Sequence, residues 1–370
     1  MHCARRDTSR PALPPRPFTS IVLHGSTSWL IAFSLEREEG PAMSLQTKEL
    51  NRDKAAETFF RARRLGHANV WVSDYAAMYE FYSSVLGFNK SYIQPDNRAS
   101  FVSNGNSHHD FGMVDVKSHY APRPDQRPGL NHLGFELRNE VELVEAYRHA
   151  LAARYKFVMT ADHDVAHSAY IKDPDGNEIE LYADVVPDWR AVRRGTVIKD
   201  KPPYVPGESS EPLAEEFFVR NPTLLTVESA LFHPLRTTHA TLFARDFEKM
   251  YDFYTEFVGL KPFAGSRSGA FVVLAGSHSE GDIVLFRGRP GCEPGLDHVG
   301  VVVRDERDLD TARANAATRG VKIEKEVDHP ARRALIIRDP DNLRLQMYVN
   351  RDWRRQTIDA VNPDLAIDLL

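Results

Sequence analysis

Cysteine is nearly absent. The 370-residue chain has two, Cys3 and Cys292, and neither belongs to a CxxC pair or a ligand cluster. A disulfide scaffold and a thiolate metal site are excluded, and a reducing, cytoplasmic setting is expected. Long apolar runs are missing as well. The patch from Ile21-Val22-Leu23 to Trp29-Leu30-Ile31-Ala32-Phe33 is broken by His24, Gly25 and several serines, too short to span a bilayer and without a convincing signal cleavage site. No block of Lys and Arg stands out and the formal net charge is -5, so there is no footprint for nucleic acid or an anionic membrane. What is present, 42% hydrophobic and 27% charged residues, is ordinary for a soluble globular enzyme of two or three domains.

The chain repeats itself. His67-Ala68-Asn69-Val70, Asp74, Met78-Tyr79, Phe81-Tyr82 and Gly87 return at one constant offset as His239-Ala240-Thr241-Leu242, Asp246, Met250-Tyr251, Phe253-Tyr254 and Gly259. A second echo links Gly129-Leu130-Asn131-His132 and Asp173-Pro174-Asp175 to Gly295-Leu296-Asp297-His298 and Asp339-Pro340-Asp341. In the second copy Glu180 has become Gln346 and Tyr170 has become Ile336. Duplication followed by loss of chemistry in one half is the simplest account.

Each repeat opens on a strand, His67 to Val72 or His239 to Phe243, with Asp74 or Asp246 placed to cap the helix that follows. Ala77, Met78, Phe81, Tyr82 and Val85 recur at helical spacing and stop at Leu86-Gly87, where Gly suits a left-handed cap. Short strands come next, Ala99 to Val102 and Asp110 to Val116, then Gly269 to Leu274 and Asp282 to Phe286 in the second copy. The His132 and His298 segments restart the pattern, with strands Leu133 to Leu137, His167 to Lys172 and Glu178 to Tyr182 and a helix from Glu140 to Arg154. Their counterparts are strands Val299 to Val303, Arg333 to Arg338 and Leu343 to Val349 and a helix from Leu309 to Thr318. A short helix over Asn51 to Arg64 is also expected. The unit is strand, helix, three strands, and it occurs in two pairs. This gives an extension over residues 1–50, a first domain over 51–185, a Pro-rich linker or wrapping segment over 186–235, a second domain over 236–352 and a tail over 353–370. Residues 1–42 match neither repeat, and Met43-Ser44-Leu45 would make a plausible start.

His67, His132 and Glu180 each fall on a strand that opens or closes a unit. Spacing alone says little, since a lone strand histidine is as readily a packed structural residue. Period-two alternation puts Glu178 on the same face as Glu180 and leaves the two undistinguished.

These pieces together resemble the extradiol ring-cleaving dioxygenases of the vicinal oxygen chelate superfamily, which shares its fold with glyoxalase I. The pattern HxxxxxxDxxxxxxFYxxxLG is met by His67, Asp74, Phe81-Tyr82 and Leu86-Gly87. A second histidine opens the partner module in Asn131-His132-Leu133-Gly134-Phe135, and DPDGNxIELY runs from Asp173 to Tyr182. The resemblance implies an α+β fold of four βαβββ modules in two paired domains. It also implies Fe(II), less often Mn(II), on His67, His132 and Glu180, and is what selects Glu180 over Glu178. Two imidazoles and a carboxylate are the donor set of non-haem iron oxygenases. By the same resemblance, His109 in Ser107-His108-His109-Asp110-Phe111-Gly112 is an acid-base residue, with His108 as the alternative. Tyr170 stands at the family's tyrosine and His163 at a further histidine, with His167 competing. A neutral imidazole can take and return a proton near working pH.

The implied substrates are a catechol-type ring and O2, with a hydroquinone-type ring also open. In the second copy His239, His298 and Gln346 stand at the ligand positions, and Gly281 and Ile336 at those of His109 and Tyr170. That copy is expected to be structural. His329 does match His163. In the family's better known two-domain members the C-terminal pair carries iron, whereas here the full set is N-terminal. Trp71, Phe111, Phe135, Tyr170 and Tyr182 offer aromatic area near the strands. A glyoxalase-like isomerase or lyase and a bleomycin-resistance-type binding protein are the alternatives, and a homo-oligomer is expected.

Overall fold

The computed structural model describes residues 58–198, 203–288 and 293–370. The readings for residues 1–50, the patch over 21–33 and both cysteines fall outside them. Four βαβββ modules pair into two sheets. In the first, β1 (Arg64–Val72), α1 (Tyr75–Ser84), β2 (Asn89–Gln94), β3 (Ala99–Ser103) and β4 (Phe111–Asp115) make one module. Its partner is β5 (Gly129–Glu136), α2 (Glu140–Ala152), β6 (Met159–Asp162), β7 (Ala166–Lys172) and β8 (Glu178–Asp184). The strand order is β6-β7-β8-β5-β1-β4-β3-β2-β9, where β9 (Gly195–Thr196) comes from the Pro-rich segment. That segment also holds α3 (Trp189–Val192), and its Tyr204 hydroxyl donates to Glu140 Oε1 at 3.0 Å. It therefore wraps the first sheet.

The second half repeats the plan with β10 (Pro234–Ala244), α4 (Phe247–Asp252), β11 (Lys261–Gly265), β12 (Phe271–Ala275), β13 (Ile283–Arg287), β14 (Gly295–Val303), α5 (Glu306–Asn315), β15 (Ile323–Asp328), β16 (Arg332–Arg338) and β17 (Arg344–Asn350). Its order is β11-β12-β13-β10-β14-β17-β16-β15. Two helices close the chain, α6 (Arg355–Asp359) and α7 (Pro363–Leu369). Among the described residues no helix is long and apolar enough to cross a membrane.

Local chemistry explains the elements. Asp74 accepts from the N–H groups of Ala76 and Ala77, and Asp246 from that of Lys249, so both expected caps operate. After α1 the chain turns at Gly87 with φ +87°, in left-handed space that a Cβ would strain. The helix expected over Asn51 to Arg64 does not form in its described part. Residues 58–63 carry no helix, and the N–H groups of Phe59, Phe60 and Ala62 go to the carbonyls of Glu256, Phe257 and Val258. Tertiary hydrogen bonds override the helical propensity of that segment.

The repeated residues hold the two halves together by reciprocal bonds. Tyr82 Oη donates to Asp339 Oδ2 at 3.1 Å, and Tyr254 Oη to Asp173 Oδ2 at 3.1 Å. Leu65 N–H donates to Asp282 Oδ1 at 2.7 Å and Thr237 N–H to Asp110 Oδ1 at 3.1 Å. Each tyrosine of the FY pair thus satisfies the first aspartate of the other half's DPD turn. Much of the repeated sequence serves this pseudo-twofold interface. Tyr82→Phe and Tyr254→Phe should each lower unfolding free energy by about 1–3 kcal/mol, because a buried carboxylate oxygen loses a donor, Asp173 Oδ2 keeping that of Asn177 Nδ2. Denaturant titration measures it, and a loss for one tyrosine only would break the symmetry argued here.

Candidate metal centre

Strand register brings the candidate ligands together. His67 on β1 pairs with Gly134 on β5, Gly134 pairs with Glu180 on β8, and Glu180 pairs with Tyr170 on β7. The row therefore reads His67, Gly134, Glu180, Tyr170 across four strands, and the side chains of His67 and Glu180 meet over a residue that has none. A Cβ at Gly134 would overlap the His67 ring. His132 lies two residues before Gly134 on the same face of β5, paired with Asn69 and Glu178.

His67 Nε2 lies 2.8 Å and His132 Nε2 3.0 Å from Glu180 Oε2. The three donor atoms lie within 4.8 Å of one another, and all three residues are buried. Glu178, which sequence could not separate from Glu180, lines the cavity but is outside this group. The second group close enough for a metal combines His67 with His108 and His109, and the second sheet offers none among the described residues.

The donor set fits a cation. Asn131 Oδ1 lies 2.6 Å from His132 Nδ1 and accepts its proton, which leaves Nε2 a bare lone pair. That buried nitrogen has no hydrogen-bond partner, although Glu180 Oε2 is 3.0 Å away. A lone pair facing a carboxylate at that distance is repulsive unless a positive ion lies between them.

Electrostatics point the same way. Burial pushes the Glu180 carboxyl up, but His67 and His132 outweigh it and hold the group well below the usual range. Burial drives His67 down to about 4 against the pull of Glu180. Burial, with His67 and His108 beside it, takes His109 well below its ordinary value. Neutral imidazole with ionised carboxylate is the state a divalent metal requires.

Two of the candidate ligands, His132 and Glu180, line a cavity of about 700 Å³ together with His108, His109, His163 and Tyr170, while His67 is fully buried beside them. His163 Nε2 is 2.9 Å from Tyr170 Oη and 3.7 Å from Glu180 Oε1. His167 points elsewhere, with Nδ1 2.6 Å from Glu140 Oε1 and its ring 4.2 Å from that of Tyr204. His109 Nε2 meets Asn69 Oδ1 at 3.0 Å, and the His109 ring lies 4.1 Å from that of His67. His108 lines the same wall, 3.5 Å from Asp184. Neighbours share one face because residues 104–110 form bends rather than strand. Burial, then Glu180, raises the Tyr170 hydroxyl well above its usual value, so it stays protonated.

Three residues were not legible in the sequence as parts of this site. Ser168 Oγ donates to Glu180 Oε1 at 2.5 Å, Asn69 holds His109, and Gly134 makes room for His67. Gly134 had a signal, since a Cβ at Gly300 would overlap His239 in the same way and HxG recurs in both copies. Of the aromatic residues expected near the cup, Trp71 and Tyr170 line the cavity. Phe111 and Phe135 belong to the core cluster, because alternation sends them to the opposite sheet face. Tyr182 is buried beside His67, ring centroids 5.1 Å apart. Tyr92 and Phe101 supply the missing wall.

In the second sheet Gln346 is locked. Its Oε1 accepts from Arg332 Nη1 at 2.7 Å and its Nε2 donates to Asp368 O at 2.8 Å. A guanidinium and the segment around α7 thus occupy the neighbourhood of the second ligand set.

Two expectations follow. Gly134→Ala should displace His67, cost about 1–3 kcal/mol of stability and weaken metal uptake, read by thermal melting and metal titration; wild-type metal affinity in this variant would refute the steric argument. In metal-free protein the unfolded chain protonates its histidines near 6.5, while folded His67 stays neutral down to about 4. The folded pKa is the lower one, so the stabilisation is present above about 6.5 and is lost as pH falls toward 4. Tm should fall across that window, with a shallower slope in His67→Gln.

The model of the Glyoxalase/Bleomycin resistance protein/Dioxygenase superfamily matches residues 64–181 and 236–347. A catechol-2,3-dioxygenase of Bacillus subtilis (strain 168) is 25% identical over 275 residues, 70% of this chain and 90% of the relative. Among solved structures, the 2,3-dioxygenase LapB from Pseudomonas sp. KL28 superposes with a TM-score of 0.57 at 17% identity, covering 78% of this chain and 93% of its own. The Mn(II)-bound glyoxalase from Novosphingobium aromaticivorans gives 0.55 at 16% identity, covering 79% and 85%.

Proposed function

Because the chain belongs to the Glyoxalase/Bleomycin resistance protein/Dioxygenase superfamily, we propose that it is a ring-cleaving extradiol dioxygenase that uses Fe(II), with Mn(II) as the alternative metal. Its substrate is a catechol-type ring, cleaved next to its vicinal hydroxyls with both atoms of O2 entering the product. The observation that carries this reading is the convergence of His67, His132 and Glu180, with His132 and Glu180 lining the cavity that also holds His109, His163 and Tyr170. The catechol-2,3-dioxygenase relative, matched over 90% of its length, supports it.

When bound by His67, His132 and Glu180, the metal would supply open coordination positions and an electron path between the aromatic diol and O2. The chain's own residues do the rest. Tyr92, Phe101 and Trp71 offer apolar walls to the ring. His109 is neutral, and its buried Nδ1 has no hydrogen-bond partner. With Asn69 fixing its other nitrogen, it can accept a proton from a substrate hydroxyl and return it later. Tyr170 keeps its proton and can donate to an oxygen that gains negative charge. His163, at hydrogen-bond distance, orients that hydroxyl. Ser168 holds Glu180 Oε1, leaving Oε2 toward the imidazoles.

Anaerobic reconstitution with Fe(II), followed by catechol and O2, should give stoichiometric iron and a ring-opened product that absorbs in the near ultraviolet or visible. Turnover should be lost on chelation and restored by iron. Tightly held zinc with no oxygen uptake would move the assignment to an isomerase. Glu180→Gln should abolish iron retention. His109→Asn should retain iron but lower kcat about 10²–10⁴-fold, the range of a lost acid-base group. Tyr170→Phe should keep iron and lower kcat less severely.

A further inference from the structure

The second sheet has a cavity of its own, about 550 Å³, and its lining is cationic: Arg64, Arg220, Arg236, Arg332, His239 and His278 all contribute. Arg332 is 1% exposed. Its Nε donates to Asn350 Oδ1 at 2.9 Å, and its Nη1 to Gln346 Oε1 at 2.7 Å and Leu369 O at 3.0 Å. The guanidinium lies 3.7 Å from the ring centroid of Tyr348 and 3.9 Å from that of Trp353. Every one of these partners is uncharged. A buried guanidinium without a carboxylate is costly, and burial lowers its pKa to about 10.

The neighbours do not compensate. Arg236 is half-buried and Arg220 exposed, and neither side chain makes a hydrogen bond or ion pair with another described residue, although Arg236 is near enough to pull on the Asp282 carboxyl. His239 Nε2 is buried without a partner. Arg64 is already committed to Glu136 at 2.8 Å. The nearby carboxylate of Asp282 is used by the N–H groups of Leu65 and Gly276 and by Ser279. Glu280 lines the cavity but is exposed. The result is a pocket with fixed positive charge on one side and Tyr348, Trp353, Phe218, Val273 and Val284 on the others.

We propose that this cavity binds a small organic carboxylate, held by Arg332 and Arg236 through its oxygens and by the aromatic and valine wall through its apolar body. Arg332 has Nε and Nη1 engaged and offers Nη2, while the uncommitted guanidinium of Arg236 presents the planar fork that matches a carboxylate better than a point charge would. The aromatic part of the lining, Phe218, Tyr348 and Trp353, favours an organic acid over inorganic phosphate. The first copy has no counterpart: Ala166 stands there where Arg332 stands in the second copy, so the cationic site belongs to the second half alone.

Isothermal titration of the full chain with benzoate, benzamide and inorganic phosphate tests the assignment. Benzoate should bind, with benzamide and phosphate at least about tenfold weaker, the scale of one charge-assisted hydrogen bond. Arg236→Gln, at a half-buried position, should weaken benzoate about tenfold or more, and Arg332→Met should do so if it folds. Arg123→Gln, in the lining of the first cavity, should leave the affinity unchanged. Equal binding of benzoate and benzamide, wild-type affinity in Arg236→Gln, preference for phosphate, or loss confined to Arg123→Gln would each overturn the proposal.

Discussion

One carboxylate against two imidazoles is the constraint on which the site depends. Glu180 is buried, with His67 and His132 at 2.8 and 3.0 Å from Oε2 and the Ser168 hydroxyl donating to Oε1 at 2.5 Å, and its carboxyl is held well below the usual range. Burying an ion without such partners would cost several kcal/mol. The arrangement is stable only as a set, and His132, with its proton turned to Asn131, still leaves a lone pair aimed at a carboxylate. A divalent cation would resolve that repulsion. The sheet supplies the geometry through a missing side chain, since Gly134 lets His67 and Glu180 meet across the strand between them.

The second half shows what happens when the anion is removed from the same frame. Gln346 cannot balance a metal's charge, and Arg332 brings a cation to its side while Asp368 O takes its amide. The strands, the histidines and the HxG glycine persist there because they also serve packing. Reciprocal bonds such as Tyr82 to Asp339 and Tyr254 to Asp173 join the halves, so the second half contributes to the whole while its cup is filled differently. Replacement of the carboxylate by Gln346 and the fixed positive charge of Arg332 beside it are thus two sides of one substitution pattern.

The modular plan and the helix caps at Asp74 and Asp246 were legible in the sequence, and the three residues it offered as metal ligands, His67, His132 and Glu180, lie close together in the fold. Period and capping are local properties, and duplication displayed the register twice. Glu180 could not be told from Glu178 by alternation, because both share a strand face; the structure separates them by distance to the imidazoles, with Glu180 in the row of His67. His163 and His167 were likewise unresolved, and tertiary contacts with Glu140 and Tyr204 draw His167 away. Tertiary structure also decided that residues 58–63 are not helical, that Phe111 and Phe135 face the core, and that Asn69 and Ser168 support the site. Each of these depends on which strand lies beside which, and residues far apart in the chain meet only through that pairing. The sequence by itself determined which residue types and periods were available, because these follow from side-chain chemistry and backbone repeat. Only the folded sheets decided which charges face one another, because electrostatic partnership depends on distance in space.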